Sequence, residues 1–245
     1  MPTVTGIAAN LEAVRGRIAA AARRAQRDPS EVTLVAVSKT FGEAHVREAH
    51  AAGQRDFGEN KVQEALLKVA ATADTPGIRW HLIGHLQSNK ARKAAGAFAY
   101  VHSVDSIDLL KRLDAAAAEH GSAPEVLVQV DLAGESTKFG ATAQHVETIA
   151  RAALEARAVR LSGLMLIPPW SADQEETRPW FVRLRELRDR LAATDIPAAA
   201  LRHLSMGMSH DFEAAVEEGA TIVRVGTAIF GSRTRNTEDT VTKEA

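Results

Sequence analysis

The stretch "TLVAVSK", residues 33 to 39, is a short apolar run that ends on a lysine. Its β-branched and small apolar residues read as a buried strand. Seven further runs follow: "RDFGE" (55–59), which is short, "RWHLIG" (79–84), "AYVHSV" (99–104), "EVLVQVD" (125–131), "RLSGLMLI" (160–167), "RHLSMG" (202–207) and "TIVRVG" (221–226). Between them lie helical repeats, such as Leu109, Leu110, Leu113 and Ala117, or Phe181, Leu184, Leu187 and Leu191. Eight strands, each followed by a helix, in about 250 residues is the arithmetic of a (β/α)8 TIM barrel, an α/β fold. The same units could build an open doubly wound sheet. No strand-to-helix turn carries G-x-G-x-x-G, so the dinucleotide-binding version of that sheet has no support. Ile7, Leu11, Val14 and Ile18 repeat at helical spacing and predict an extra helix before the first strand.

The chain has 245 residues, 45% of them hydrophobic, enough for one large core. A single domain is expected over residues 1–233, with the polar "TRNTEDTVTKEA" (234–245) as a disordered tail. "PPWSADQEETRP" (168–179) reads as a loop leading into a helix. Thirty basic and 31 acidic side chains leave a net charge of -1, so bulk electrostatics point to neither nucleic acid nor membrane. The absence of cysteine excludes disulfides, thiolate metal sites and a cysteine nucleophile. No run is long enough to span a bilayer, and the N-terminus lacks a secretory pattern, so a cytoplasmic protein is expected.

Barrel active sites form where the strands end, and phosphate sites commonly follow the seventh and eighth strands. Lys39 closes the first strand, and alternation puts it on one face with Val35 and Val37. It either snorkels to solvent or points into the barrel mouth. The seventh strand runs into "SMGMSHDFEAA" (205–215), where Ser205 and Gly207 make a small turn and Ser209 could cap the next helix. The eighth runs into "GTAIFG" (226–231), a second glycine turn. Side by side, two such turns would present free backbone N–H groups to an anion. Arg224 interrupts an apolar strand on the face of Ile222 and Gly226, and a guanidinium buried there needs an acceptor. That acceptor is either a carboxylate such as Asp131 or a ligand atom. His81 and His85 have the spacing of a zinc helix but fall in a strand and its loop, without the glutamate of H-E-x-x-H, so no metal is expected. A lysine, an anion cradle and an arginine at one mouth suit a phosphorylated carbonyl compound with a ring, which suggests pyridoxal 5'-phosphate (PLP).

"LVAVSKT", "FGENKVQEA", "WHLIGHLQSNK", "GESTKFG", "GLMLI" and "LSMGMSHDFEAAVEEGATIVRVGTAIFG" together resemble the YggS-like pyridoxal phosphate homeostasis proteins, over about residues 5 to 232. The resemblance implies a single barrel similar to the N-terminal domain of alanine racemase, holding PLP as a Schiff base on a lysine and acting in vitamin B6 balance. By position it implies Lys39 as that lysine and Arg224 facing the pyridine nitrogen. Ser205 with Met206, and Gly226 with Thr227, would hold the phosphate. Asn60 would lie near the ring hydroxyl, with Val37 and Met165 as apolar walls. Two positions depart from the family pattern: Phe41 and Gly42 stand where Lys-Pro usually follows "SKT", and Asp131 stands where Asn is common.

Two functions fit this reading. One is a PLP carrier with little turnover, a monomer that hands cofactor to PLP-dependent apoenzymes. The other is a racemase-like enzyme. An arginine beside the pyridine nitrogen keeps that nitrogen unprotonated and the ring a poorer electron sink. The resemblance also implies that alanine racemase uses a tyrosine from a second domain, whereas the one tyrosine here is Tyr100, on the fourth strand. Both points favour the carrier.

Overall fold

The computed structural model describes residues 6–134 and 139–231. The expected tail at 234–245 and four residues of "GESTKFG" (135–138) lie outside the described residues. In chain order come α1 (Ile7–Arg24), β1 (Thr33–Val37), α2 (Glu43–Ala51), β2 (Asp56–Glu59), α3 (Val62–Ala71), β3 (Arg79–Leu82), α4 (Ala91–Ala95), β4 (Tyr100–Val104) and α5 (Ile107–His120). The second half adds β5 (Glu125–Asp131), β6 (Ala141–Thr142), α6 (Ala143–Leu154), β7 (Arg160–Leu166), α7 (Gln174–Ala192), β8 (His203–Met208), α8 (Phe212–Glu217), β9 (Ile222–Val225) and α9 (Thr227–Phe230).

Parallel pairings run β1–β2–β3–β4–β5–β7–β8–β9, and β9 pairs back onto β1 with Val35 opposite Arg224. This is a closed eight-stranded TIM barrel, with α1 ahead of the first strand. All eight apolar runs are barrel strands, the short "RDFGE" included, because β2 is paired on both sides, by β1 and β3. The two-residue β6, which carried no sequence signal, attaches to β5. Two boundaries differ from expectation. β1 stops at Val37, so Lys39 lies in the turn beyond it rather than on the strand. α7 begins at Gln174 because Asp173 caps it, accepting from Glu175 N at 2.9 Å, so Pro179 sits inside the helix and not at the end of a loop.

Alternation along the strands sorts the apolar residues into two cores. Val35, Leu127, Met165 and Ile222 pack together inside the barrel with Tyr100 against them. Leu34, Ala36, Val126, Val128, Leu164 and Val223 face outward, into the larger layer between strands and helices. Each such side chain stabilises the fold by about 1.5–3 kcal/mol through burial. α1 buries Ile7, Leu11, Val14 and Ile18 and packs on α8 and α9, where Asn10 Nδ2 donates to Ile229 O at 2.9 Å.

Candidate functional site

Ser38 to Phe41 form a turn closed by a 3.0 Å hydrogen bond from Phe41 N to Ser38 O. Its third residue, Thr40, has φ 70°, a left-handed conformation that β-branched residues avoid. Such strain costs about 1–3 kcal/mol and persists only where surrounding contacts enforce it. The contacts here lie on the outer side of the barrel. Lys68 Nζ donates to Ser38 O (2.7 Å) and to Glu59 Oε1 (2.6 Å), and Ser38 Oγ donates to the same carboxylate oxygen (2.6 Å). Ser38, Glu59 and Lys68 are all buried, so the turn that presents Lys39 is clamped from behind.

A cavity of about 670 Å³ opens at the C-terminal ends of the strands, and Val37, Lys39, Asn60, Arg224, Gly226 and Thr227 all line it. The other three residues expected in the site do not. Met165 is fully buried in the barrel's apolar cluster, below the cavity. Ser205 faces inward but is covered by Arg224, whose Nη1 donates to its Oγ at 2.6 Å. Met206 points into the outer core, as it must: adjacent strand residues face opposite ways, so Ser205 and Met206 cannot both project inward.

Arg224 is buried at the cavity floor and also donates from Nη2 to Leu166 O at 2.9 Å. Burial pushes its guanidinium down to about 10, against the pull of Asp211. Asp131 is not its counter-ion. Asp131 Oδ1 accepts from Ala133 N and Gly134 N at 3.0 and 2.9 Å, which ties the carboxylate into its own loop.

Beside Arg224, the turns after β8 and β9 meet through Ser209. Its Oγ accepts from Gly226 N (3.1 Å) and Ala228 N (3.4 Å). Ser209 does not cap α8 as expected; Asp211 precedes that helix, and its Oδ1 accepts from Met208 N at 2.7 Å. Gly207 makes the crossing possible: with φ 89°, it sits where a Cβ would lie 2.5 Å from Ala215 Cβ. A Cβ on Gly226 would come within 3.1 Å of Val37 O, so a side chain here would press on the end of β1. The hydroxyls of Ser209 and Thr227 therefore stand at the cavity edge, where a phosphate displacing Ser209 Oγ would also meet the Gly226 N–H.

His81 and His85 separate as the strand reading requires. His81 is buried inside the barrel, while His85 lines the cavity with its ring stacked on Phe139 at 3.6 Å. Among the described residues no three His, Asp or Glu side chains cluster as metal ligands. Polar cavity residues that sequence reasoning did not single out include Thr40, Gln129 and His210. Thr40 and His210 sit in loops, where periodicity carries no information about direction, whereas Gln129 lies on β5 two residues beyond the inward Leu127, a signal that alternation offers.

Residues 9–234 match the family model described as the N-terminal domain of alanine racemase. A pyridoxal phosphate homeostasis protein of Pseudomonas aeruginosa is 48% identical over 93% of this chain and 96% of its own. Its Escherichia coli K12 counterpart is 41% identical over 93% and 97%. The structure of PipY from Synechococcus elongatus with PLP bound superposes with a TM-score of 0.80 at 43% identity, covering 92% of this chain and all of that one. An alanine racemase of Clostridium difficile shares the fold, with a TM-score of 0.70 at 14% identity, and this chain spans 58% of it.

Proposed function

The chain belongs to the alanine racemase N-terminal-domain family and, within it, to the pyridoxal phosphate homeostasis proteins, and from that premise we propose that it binds PLP and serves PLP homeostasis as a carrier. The observation that carries this reading is that Lys39 and Arg224 line one cavity, an amine at its rim and a fixed cation at its floor. The residues fit the cofactor: an amine for the aldehyde, an anion cradle for the phosphate, and an apolar wall at Val37. When bound, PLP supplies an aldehyde that exchanges between amines and a ring that withdraws electrons.

The chain's own residues divide that work. Lys39, aimed by the strained Thr40 turn, is the amine that retains the cofactor. Ser209, Gly226 and Thr227 would hold the phosphate, and Asn60 would hold the ring's hydroxyl side. Arg224, a donor that stays protonated, would hold the ring nitrogen without giving it a proton, which would leave the ring a weak electron sink. That arrangement favours holding over turnover. A racemase would need a second base, and Tyr100 cannot supply it: its ring stacks on His81 at 4.4 Å, inside the barrel. The carrier acts as a monomer in the cytoplasm and hands PLP to apoenzymes; no helix among the described residues is long and apolar enough to cross a membrane.

Borohydride reduction of the purified protein with PLP, followed by peptide mapping, tests the reading. The label should sit on Lys39, and Lys39→Ala should lose the visible absorption band while keeping the fold. Label on Lys61 or Lys90 instead would overturn the assignment. Amino-acid turnover at about 1 per second or faster would overturn the carrier reading.

A further inference from the structure

Beneath the cavity floor, a line of polar side chains crosses the barrel interior. Arg224 Nη1 reaches Ser205 Oγ at 2.6 Å, and Ser205 Oγ lies 2.9 Å from His102 Nδ1. His102 Nε2 lies 2.9 Å from His81 Nδ1, and His81 Nε2 lies 2.9 Å from Asp56 Oδ1. All five side chains are buried, and they come from β9, β8, β4, β3 and β2. At the far end Asp56 Oδ2 accepts from Arg79 Nη2 at 2.7 Å, where the arginine side chain is half exposed.

The carboxylate end, with neutral rings, fixes the direction of every bond. A guanidinium can only donate, so Ser205 Oγ accepts from it and keeps its own proton available for His102 Nδ1. A carboxylate can only accept, so His81 must carry its proton on Nε2. Burial holds both imidazoles below their ordinary range, His102 further through the nearby His81 and Arg224, and His81 against the pull of Asp56. Each ring is then neutral with one proton. His81 Nδ1 is left as an acceptor, His102 Nε2 as its donor, and His102 Nδ1 as the acceptor for Ser205. The Asp56 carboxylate and the neutrality of both rings together give these two tautomers, and Ser205 can satisfy them while accepting from Arg224.

This line is not what a barrel interior needs for stability. Well-packed apolar residues usually match or exceed a buried polar array, and the rest of this interior is filled by Val35, Leu127, Met165 and Ile222. We propose that Ser205, His102, His81 and Asp56 are a positioning relay for Arg224, linking a carboxylate to the buried guanidinium through three neutral groups. No side chain carboxylate then needs to touch Arg224, and its cavity side stays open to ligand. Polarised chains of this kind strengthen each member bond. The inference rests on the reading of Arg224 as the partner of the cofactor's ring nitrogen.

Ring ¹⁵N NMR on the ligand-free protein tests the relay without cofactor. His81 and His102 should both be neutral at pH 7 with the proton on Nε2; a proton on Nδ1 of either, or a doubly protonated ring, overturns the proposal. PLP affinity supplies the second test, because Asp56 does not line the cavity. Asp56→Asn should weaken PLP binding about tenfold, and His102→Leu likewise. His102→Gln keeps an acceptor toward Ser205 and a donor toward His81, and should stay within about threefold of the parent. In an Arg224→Met background the Asp56→Asn effect should vanish. Unchanged affinity in Asp56→Asn, or full additivity with Arg224→Met, overturns the relay. Unchanged affinity in Arg224→Met would instead sink the ring-nitrogen reading, and with it the relay's purpose, whatever tautomers are found.

Discussion

Lys68 and Arg224 are both buried cations, held on opposite sides of the barrel wall. Lys68 lies outside it, where α3 covers β2, and meets Glu59 directly at 2.6 Å. Arg224 lies inside and, among the described residues, bonds to a hydroxyl and a carbonyl, with Asp56 three hydrogen-bonded groups beyond it. Direct contact spends the lysine's field on its own carboxylate and leaves a rigid strut behind the Lys39 turn. Indirect contact leaves the arginine's field available to whatever enters the cavity. The same chemistry, a cation removed from water, is a clamp in one place and lines the cavity in the other.

The largest effect should come from breaking the clamp. Lys68→Met leaves the Glu59 carboxylate buried without its cation, and loss of one partner of such a pair costs about 3–5 kcal/mol. Urea unfolding should show it as a lower midpoint, and adding Glu59→Leu should restore most of the loss. A single variant as stable as the parent would mean the pair contributes nothing net.

On the cavity side the contrast predicts ligand effects rather than stability effects. Charge-assisted hydrogen bonds contribute roughly 1.5–3 kcal/mol each. Pyridoxal should therefore bind at least about a hundredfold more weakly than PLP. Gly226→Asp, which adds bulk against Val37 and a like charge, should be worse than Thr227→Ala. Equal affinities for pyridoxal and PLP in a direct titration would remove the cradle from the site.

The interior should also respond to pH. His81 and His102 are held below the ordinary value of 6.5, so the unfolded chain binds protons more readily than the native one as solution turns acidic. Their contribution is complete above about pH 6.5 and is lost as pH falls below it, at up to about 1.4 kcal/mol per pH unit for each ring. Urea midpoints at pH 7.5 and 5.5 measure this, and His102→Gln should flatten the slope. A native state that gains stability on acidification would contradict two neutral rings. The smallest effect concerns the strained turn: Thr40→Gly should raise stability by about 1 kcal/mol at most, seen as a slightly higher melting temperature.

Strands and barrel could be read because eight short apolar runs alternate with helical repeats, and alternation within the runs placed Val35, Val37 and Ile222 inward. Lys39 and Arg224 drew notice as charges interrupting apolar runs, a local contrast. What could not be read depends on distance. His102 and Ser205 are 103 positions apart and touch only because the barrel curls β4 toward β8, so nothing in "AYVHSV" distinguishes His102 from a surface residue. Ser209 looked like a cap for its own helix because capping is judged from neighbours, while its partners lie 17 and 19 residues on. Ser205 and Met206, expected at the phosphate, are absent from the cavity lining, and alternation sends their side chains to opposite faces of β8.

The latch between Asn10 and Ile229, together with the pairing of β1 on β9, has a consequence for synthesis. The cavity draws on residues from Val37 to Gly231, a span of 194 positions (231 − 37). At about 5–20 residues per second, a ribosome needs roughly 10–40 seconds to make the second edge of the site after the first. Until β9 emerges, Lys39 stands at the open edge of an incomplete sheet with no cradle beside it. A chain still lacking β9 therefore has no complete site to offer a cofactor, and any help PLP gives to folding must come after the last strand has been made.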